Sequence, residues 1–195
     1  MTTLQPTPGQ TVGPFFHYGL EIERGNELVP PHTPDAVLLT GRVLDGNGDP
    51  LQDALVEIWQ TDAAGKVPRG RAMLRRPSYI GTHPVRREGT EFTGFGRSAT
   101  TAEGEYSFWT VNPGAAADGS APFFAVAVFA RGLMNKLHTR IYLPEASDAI
   151  ASDALLSSLT DEERASLVAS RDERGNLHHD IRLQGEKETI FLAFN

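Results

Sequence analysis

The alternation of apolar and polar positions along the chain predicts strands far more often than helices. AVLLTGRVL (36–44) and ALVEIWQ (54–60) are β-rich runs on either side of DGNGDP (45–50), whose Asp-Gly and Asn-Gly pairs mark a hairpin or a tight connection. TTAEGEYSFWTV (100–111) turns at Glu103-Gly104 and then alternates through Tyr106, Phe108 and Thr110. PFFAVAVFARG (122–132) is continuously apolar, as expected of a strand buried on both faces, whereas KLHTRIYL (136–143) sets Leu137, Thr139, Ile141 and Leu143 against a half-wet face of His138, Arg140 and Tyr142. HDIRLQ (179–184) and TIFLAF (189–194) read as two further strands joined by the polar turn GEKE (185–188). The helical pattern is confined to SDALLSSLTDEERASLVAS (152–170), where Thr160-x-x-Glu163 has the form of a capping box ahead of Leu167 and Val168. About seven strands and one late helix predict an all-β, two-sheet β-sandwich.

The leader breaks this pattern. TPGQTVGPFFHYGL (7–20) holds Pro8, Pro14, Gly9, Gly13 and Gly19 around the run Phe15, Phe16, His17, Tyr18. It is too rich in Pro and Gly for a helix interior and too aromatic for a free tail, so it must pack against something.

Composition narrows the function classes. The length of 195 residues suits one large domain able to bury a sizeable core, and the absence of cysteine removes disulfides, thiolate metal sites and a Cys nucleophile together. MTTLQPTPGQ has neither the basic residues nor the apolar run of a secretory signal, and no stretch approaches the roughly 18 apolar residues of a membrane span, so a cytoplasmic protein is expected. A net charge of −7 argues against a phosphate-tracking nucleic-acid binder. Yet Lys66 to Arg97 carries eight basic residues against Glu88 and Glu91. That segment is either a solvated loop or a device for steering an anionic small molecule or acidic partner.

Metal chemistry finds little footing. The six histidines, His17, His32, His83, His138, His178 and His179, form neither H-x-H on a strand nor H-x-x-x-H on a helix, and the adjacent pair would point to opposite faces of a strand. There is no G-x-S-x-G, phosphate loop or dinucleotide fingerprint.

The leader, LTGRVLDGNGDPLQDALVEIWQTDAAG (39–65), GFGRSATTAEGEYSFWTVNPG (94–114), FARGLMNKLHTRIYLPE (129–145) and DIRLQGEKETIFLAFN (180–195) together resemble the intradiol ring-cleaving dioxygenases, and within them the alpha chain of a two-chain member. The middle block is generic to transthyretin-like sandwiches; the leader, EIWQTDAAG and FARG are more specific. The resemblance implies a single domain over 1–195: an arm (1–35) packing on a partner chain, then a sandwich (36–195) with a long loop (66–97) and a helical insertion (146–170). It also implies a ferric ion held by two tyrosines and two histidines, the latter as H-x-H on one strand; hard Fe(III) favours phenolate oxygen, with imidazole completing the set. Where H-x-H would stand this chain has Phe123, Phe124, Ala125, and where one tyrosine would follow the N-P-G turn it has GAAADG (114–119). Tyr79 falls in the loop that would carry the other tyrosine, at a spacing that looks too long.

The resemblance therefore implies Fe(III) in a homologous beta chain, in an alpha–beta assembly, with this chain completing the pocket. Thr11, Gly13, Pro14 and Phe15 match alpha-chain positions that wall the substrate site, Phe15 standing where a tyrosine is expected. Arg131 matches an arginine facing the same cavity, suited to a substrate carboxylate. The implied reaction is cleavage of protocatechuate by O2 to 3-carboxy-cis,cis-muconate. Rival readings are a non-enzymatic β-sandwich carrier, action on a related substituted catechol, and a self-sufficient metalloenzyme using Tyr79 with rearranged histidines.

Overall fold

The computed structural model describes residues 20–69, 74–75, 85–87, 89–146, 149 and 152–193. Two sheets carry the fold. In the first, β2 (Ala36–Leu44) pairs antiparallel with β7 (Glu105–Val111), Ala36 opposite Val111 through Arg42 opposite Glu105. Its other edge takes β11 (Leu177–His178) and then β12 (Ile181–Arg182), both parallel, with β10 (Ser170–Arg171) beyond β11. The second sheet runs β6 (Phe95–Ala99), β3 (Leu55–Trp59), β8 (Phe123–Phe129), β9 (Leu137–Tyr142), antiparallel throughout. A small third sheet joins β1 (Ile22–Glu23), β5 (Val85–Arg87) and β4 (Leu74–Arg75).

The sandwich forms because alternate residues of both sheets can be apolar on one face only. Leu39, Val43, Tyr106 and Phe108 from the first sheet meet Val56, Ile58, Phe124, Val126, Val128 and Ile141 from the second in one buried cluster. Each such side chain contributes about 1.5–3 kcal/mol by leaving water. Continuous apolarity in β8 thus conceals an alternation: Phe124, Val126 and Val128 are buried, whereas Phe123, Ala125 and Phe129 are half-buried on the outer face. The DGNGDP turn is a connection between sheets rather than a hairpin, since β2 pairs with β7 and β3 with β6 and β8.

Among the described residues, one local device recurs four times. Asp45, Asp62, Thr101 and Asp172 each accept, through one side-chain oxygen, the N–H groups of residues two and four positions ahead. The glycine three ahead donates its N–H to the same residue's carbonyl. At Gly104, φ of 73° is the left-handed conformation such a turn requires. Gly41 is needed for space: a Cβ there would lie 1.7 Å from the His179 carbonyl oxygen, which the buried Tyr106 hydroxyl reaches at 2.6 Å.

Two expectations are corrected. The helical stretch 152–170 is broken, because Leu159 is extended and Thr160 starts a new capping box; what forms is a 3₁₀ turn (Leu156–Ser158) and a short helix α1 (Asp161–Ala165). Residues 189–193 contribute isolated backbone bonds, Thr189 N–H to Arg182 and Leu192 N–H to His138, without becoming a strand. Within the segment expected as the arm, Leu28 and Val29 are buried in this chain and both donate to the Trp109 carbonyl. No helix among the described residues is long and apolar enough to cross a membrane.

Candidate functional site

The outer face of the second sheet ends in a cleft of about 250 Å³. Register builds it: Trp59 stands between Phe95 of β6 and Ala125 of β8, and Phe123 lies one pleat further along β8. The Trp59 indole is 55% exposed, its ring 4.5 Å from that of Phe95. Val67, 62% exposed, and Pro68 form a second wall after the Asp62 turn, and Gly114 and Ala116 close the end.

Polar groups beneath the cleft are held by the protein itself. The Gln60 amide donates to the Val111 carbonyl at 2.9 Å and the Thr61 carbonyl at 3.1 Å, and its oxygen accepts from buried Thr110, tying β3 to β7. The Thr61 hydroxyl donates to Gly114 at 2.7 Å. Thr93, on the wall, accepts at 3.0 Å from Nη2 of Arg87, whose Nη1 donates to the Phe95 carbonyl at 2.9 Å. Burial, and next the like charge of Arg24, hold the Arg87 guanidinium below the ordinary arginine range, against the opposing pull of Glu27.

The positions matched to the missing donors converge on this cleft. Phe123, Gly114 and Ala116 line it, and Ala125 is on the same face of β8. The Phe123 ring is covered by the Arg140 guanidinium, 4.1 Å from its centroid, and flanked by Tyr142 at 5.6 Å. A ferric ion needs oxygen and imidazole donors, and these side chains offer none. The residues present do not fit that metal. Among the described residues, no three His, Asp or Glu side chains gather into a metal-holding group.

Other candidates lie elsewhere. Arg131 sits past Phe129, at the opposite end of β8 from Phe123, about 20 Å along a strand of that length. Its guanidinium is 60% exposed and paired at 2.7 Å with Asp53, which is 15% exposed. Thr11, Gly13, Pro14, Phe15 and Tyr79 lie outside the described residues. His178 is exposed, with Nε2 3.2 Å from Asp180, while His179 is buried, so the pair does part to opposite sides. The half-wet face expected on β9 is corrected at Tyr142, which is fully buried because residues 167–169 run along that strand's end; its hydroxyl accepts from Arg140 at 2.9 Å and donates to Asp153 at 3.2 Å. Two members of the basic segment are structural rather than solvated: Arg87 is buried, and Arg97 pairs with Glu57 and donates to the Leu20 carbonyl at 2.7 Å. Trp59, Thr93 and Arg87 were not singled out by sequence reasoning. The available signal was Leu55-x-Glu57-x-Trp59, which puts an indole at the end of an outward-facing row.

A two-sheet sandwich with a cleft at the ends of β3 and β8 defines a recognisable class, and the dioxygenase family model matches residues 12–185. The chain belongs to the intradiol ring-cleaving dioxygenase family. Within it, the chain is 38% identical over 208 residues to the protocatechuate 3,4-dioxygenase alpha chain of Burkholderia cepacia, covering 98% of this chain and 99% of that one. It is also 31% identical over 145 residues to the beta chain of the same enzyme from that organism, covering 69% of this chain and 55% of that one. Among solved structures, the dioxygenase domain of a carbohydrate-binding fusion protein from Streptomyces sp. SirexAA-E superposes with a TM-score of 0.56 at 24% identity, covering 91% of this chain and 96% of that one. That last likeness concerns the fold.

Proposed function

We propose that this polypeptide is the metal-free alpha chain of a protocatechuate 3,4-dioxygenase, working with a homologous beta chain that carries Fe(III). The observation that carries the reading is the cleft itself: Phe123, Ala125 and Ala116 stand at or beside the positions matched to iron ligands, and the polar side chains beneath are bonded within the protein. Ring opening of protocatechuate by O2 to 3-carboxy-cis,cis-muconate then belongs to the beta chain's ferric centre. This chain's part is to shape that pocket, exclude water and supply charge.

Two placements support this division of labour. Arg131 stands in the β8–β9 connection, at the far end of β8 from this chain's cleft, and its guanidinium, paired with Asp53, is 60% exposed and so accessible to a carboxylate held by a neighbour. Leu20 is tethered by Arg97 on the outer face of the second sheet, and the leader carrying Thr11, Gly13, Pro14 and Phe15 continues from that point. The leader and Arg131 wall the substrate cavity from this side, and the single-domain organisation over 1–195 belongs to the same reading. The protein acts in the cytoplasm, where aromatic acids are degraded.

Co-expression with the beta chain, metal analysis and a ring-cleavage assay test the reading. An assembly with iron in proportion to beta chains and activity only when both are present is expected. Stoichiometric iron in this chain alone, or full activity of the beta chain without it, would overturn it.

A further inference from the structure

The cleft that holds no metal donors is not featureless. Its walls are apolar and aromatic, with the exposed indole of Trp59 facing a space bounded by Val67, Pro68 and Phe123. Its volume of about 250 Å³ lies just below the range of drug-sized pockets and suits one substituted ring. One polar feature remains available on the wall. The Thr93 hydroxyl accepts from Arg87, and no described residue accepts its proton. Arg87 is buried, and the carboxylate near it, Glu27, is already paired with Arg24 at 2.8 Å. Arg140, over Phe123, hydrogen-bonds to the neutral Tyr142 hydroxyl. Among the described residues the cleft lining carries no acidic side chain, and the guanidiniums of Arg87 and Arg140 stand behind two of its sides, Asp153 lying beyond the Tyr142 hydroxyl.

We infer that this cleft is a metal-independent binding site for a monocyclic aromatic carboxylate. The ring lies against Trp59 and between Val67 and Phe123, while the carboxylate accepts the Thr93 proton, in a hydrogen bond strengthened because Arg87 polarises that hydroxyl. Gln60 and Thr61 cannot compete for the ligand, because their polar atoms are committed to Thr110, Val111 and Gly114. The site therefore selects for a carboxylate, with no paired acceptors or metal for two adjacent ring hydroxyls. The inference goes beyond the assignment of the catalytic iron to a partner and does not depend on it.

The test is calorimetric titration of benzoate into the purified protein with its accompanying chain, at low ionic strength, beside benzamide as the uncharged isostere. For so small a ligand, a dissociation constant of roughly 1 mM is expected. Trp59→Ala should remove this class of sites and Thr93→Val should weaken it about tenfold, whereas Thr93→Ser, which keeps the hydroxyl, should bind like the parent. Any site on the partner chain adds equally to all four titrations and cancels. Since Thr93→Val also deprives Arg87 of an acceptor, thermal unfolding of each variant checks that it is folded, and the serine variant separates lost binding from lost structure. Identical isotherms for parent, Trp59→Ala and Thr93→Val would overturn the inference, as would benzamide binding equal to benzoate. Absence of benzoate binding altogether, the result if another protein segment fills the cleft, would overturn it too.

Discussion

His179 should make this fold acid-sensitive in a window that its carboxylates do not share. The ring is 5% exposed, its Nε2 has no hydrogen-bond partner, and burial depresses its pKa to about 4, against a backbone hydrogen bond at Val168 that favours the charged form. Unfolded, the same imidazole titrates near 6.5. Between those values the unfolded chain binds a proton that the folded chain refuses, so stability falls as pH drops through 6.5 and the loss is complete near pH 4. A gap of about 2.5 pKa units corresponds to about 3 kcal/mol in full, of which about 2 kcal/mol is lost between pH 7.5 and pH 5. Asp180, whose charge acts on the ring although its carboxylate pairs with Arg42 and His178, is itself depressed: burial works against the shift, and Arg42 prevails by hydrogen bonding. Its contribution, with those of Glu145 and Asp172, disappears only as pH falls below the ordinary carboxylate range. Urea unfolding followed at pH 7.5, 6.5, 5.5 and 5.0, with His179→Gln run in parallel, isolates the effect because every other histidine cancels in the difference. The parent should lose about 2 kcal/mol more than the variant over this range. Parallel stability curves would refute the reasoning, because they would mean the folded ring takes up its proton as readily as the unfolded one.

Other outcomes follow from single contacts. Gly41→Ala drives a Cβ into the His179 carbonyl and the Tyr106 hydroxyl and should cost more than about 4 kcal/mol or prevent folding, read from soluble yield and urea midpoint. Thr100→Val removes the buried hydroxyl that bridges the Leu51 carbonyl and the Ala54 N–H, and should lower stability by about 1–3 kcal/mol without moving the strands, checked by denaturation and far-ultraviolet dichroism. In an active assembly, Arg131→Gln should raise KM for a carboxylated catechol by about tenfold or more, leaving kcat and the KM of uncarboxylated catechol nearly unchanged; equal effects on both substrates would remove Arg131 from substrate binding. Neutralising Arg75 and Arg76 should flatten the salt dependence of kcat/KM if the basic segment steers an anionic substrate.

The strands with long apolar or alternating runs were legible from sequence. β2, β3, β7, β8 and β9 fall within a residue or two of their apolar runs, because each contributes one face to a shared core. β6 was not, since FGRSA spends its outward position on Arg97, whose partner Glu57 comes from another strand, and Gly96 leaves room for Leu28 on its inner side. The late helix was over-read: LLSSL has helical spacing, but Asp153, accepting the N–H groups of Leu155 and Leu156, caps only a single 3₁₀ turn, which ends at extended Leu159 before Thr160 starts the next. At the site, the apolar character of Phe123 and Ala125 was readable. The recruitment of Arg87 behind Thr93 was not, because it depends on residue 87 being folded under the sheet rather than left in a basic loop.

On the proposed reading, the alternation along β8 accounts for how a chain without a metal site keeps the fold. The core needs Phe124, Val126 and Val128, while the positions matched to the metal ligands are Phe123 and Ala125 on the other face, so donors can be exchanged there without touching the packed interior. Backbone pairing fixes the cleft independently, through Trp59 opposite both Phe95 and Ala125 and through the Gln60 amide fastened to β7. Phenyl and methyl groups at those positions offer no metal donors, and the polar floor needs no new partners because it is satisfied within the protein. What stands there is a pre-shaped apolar recess, held by the same hydrogen bonds that join the two sheets.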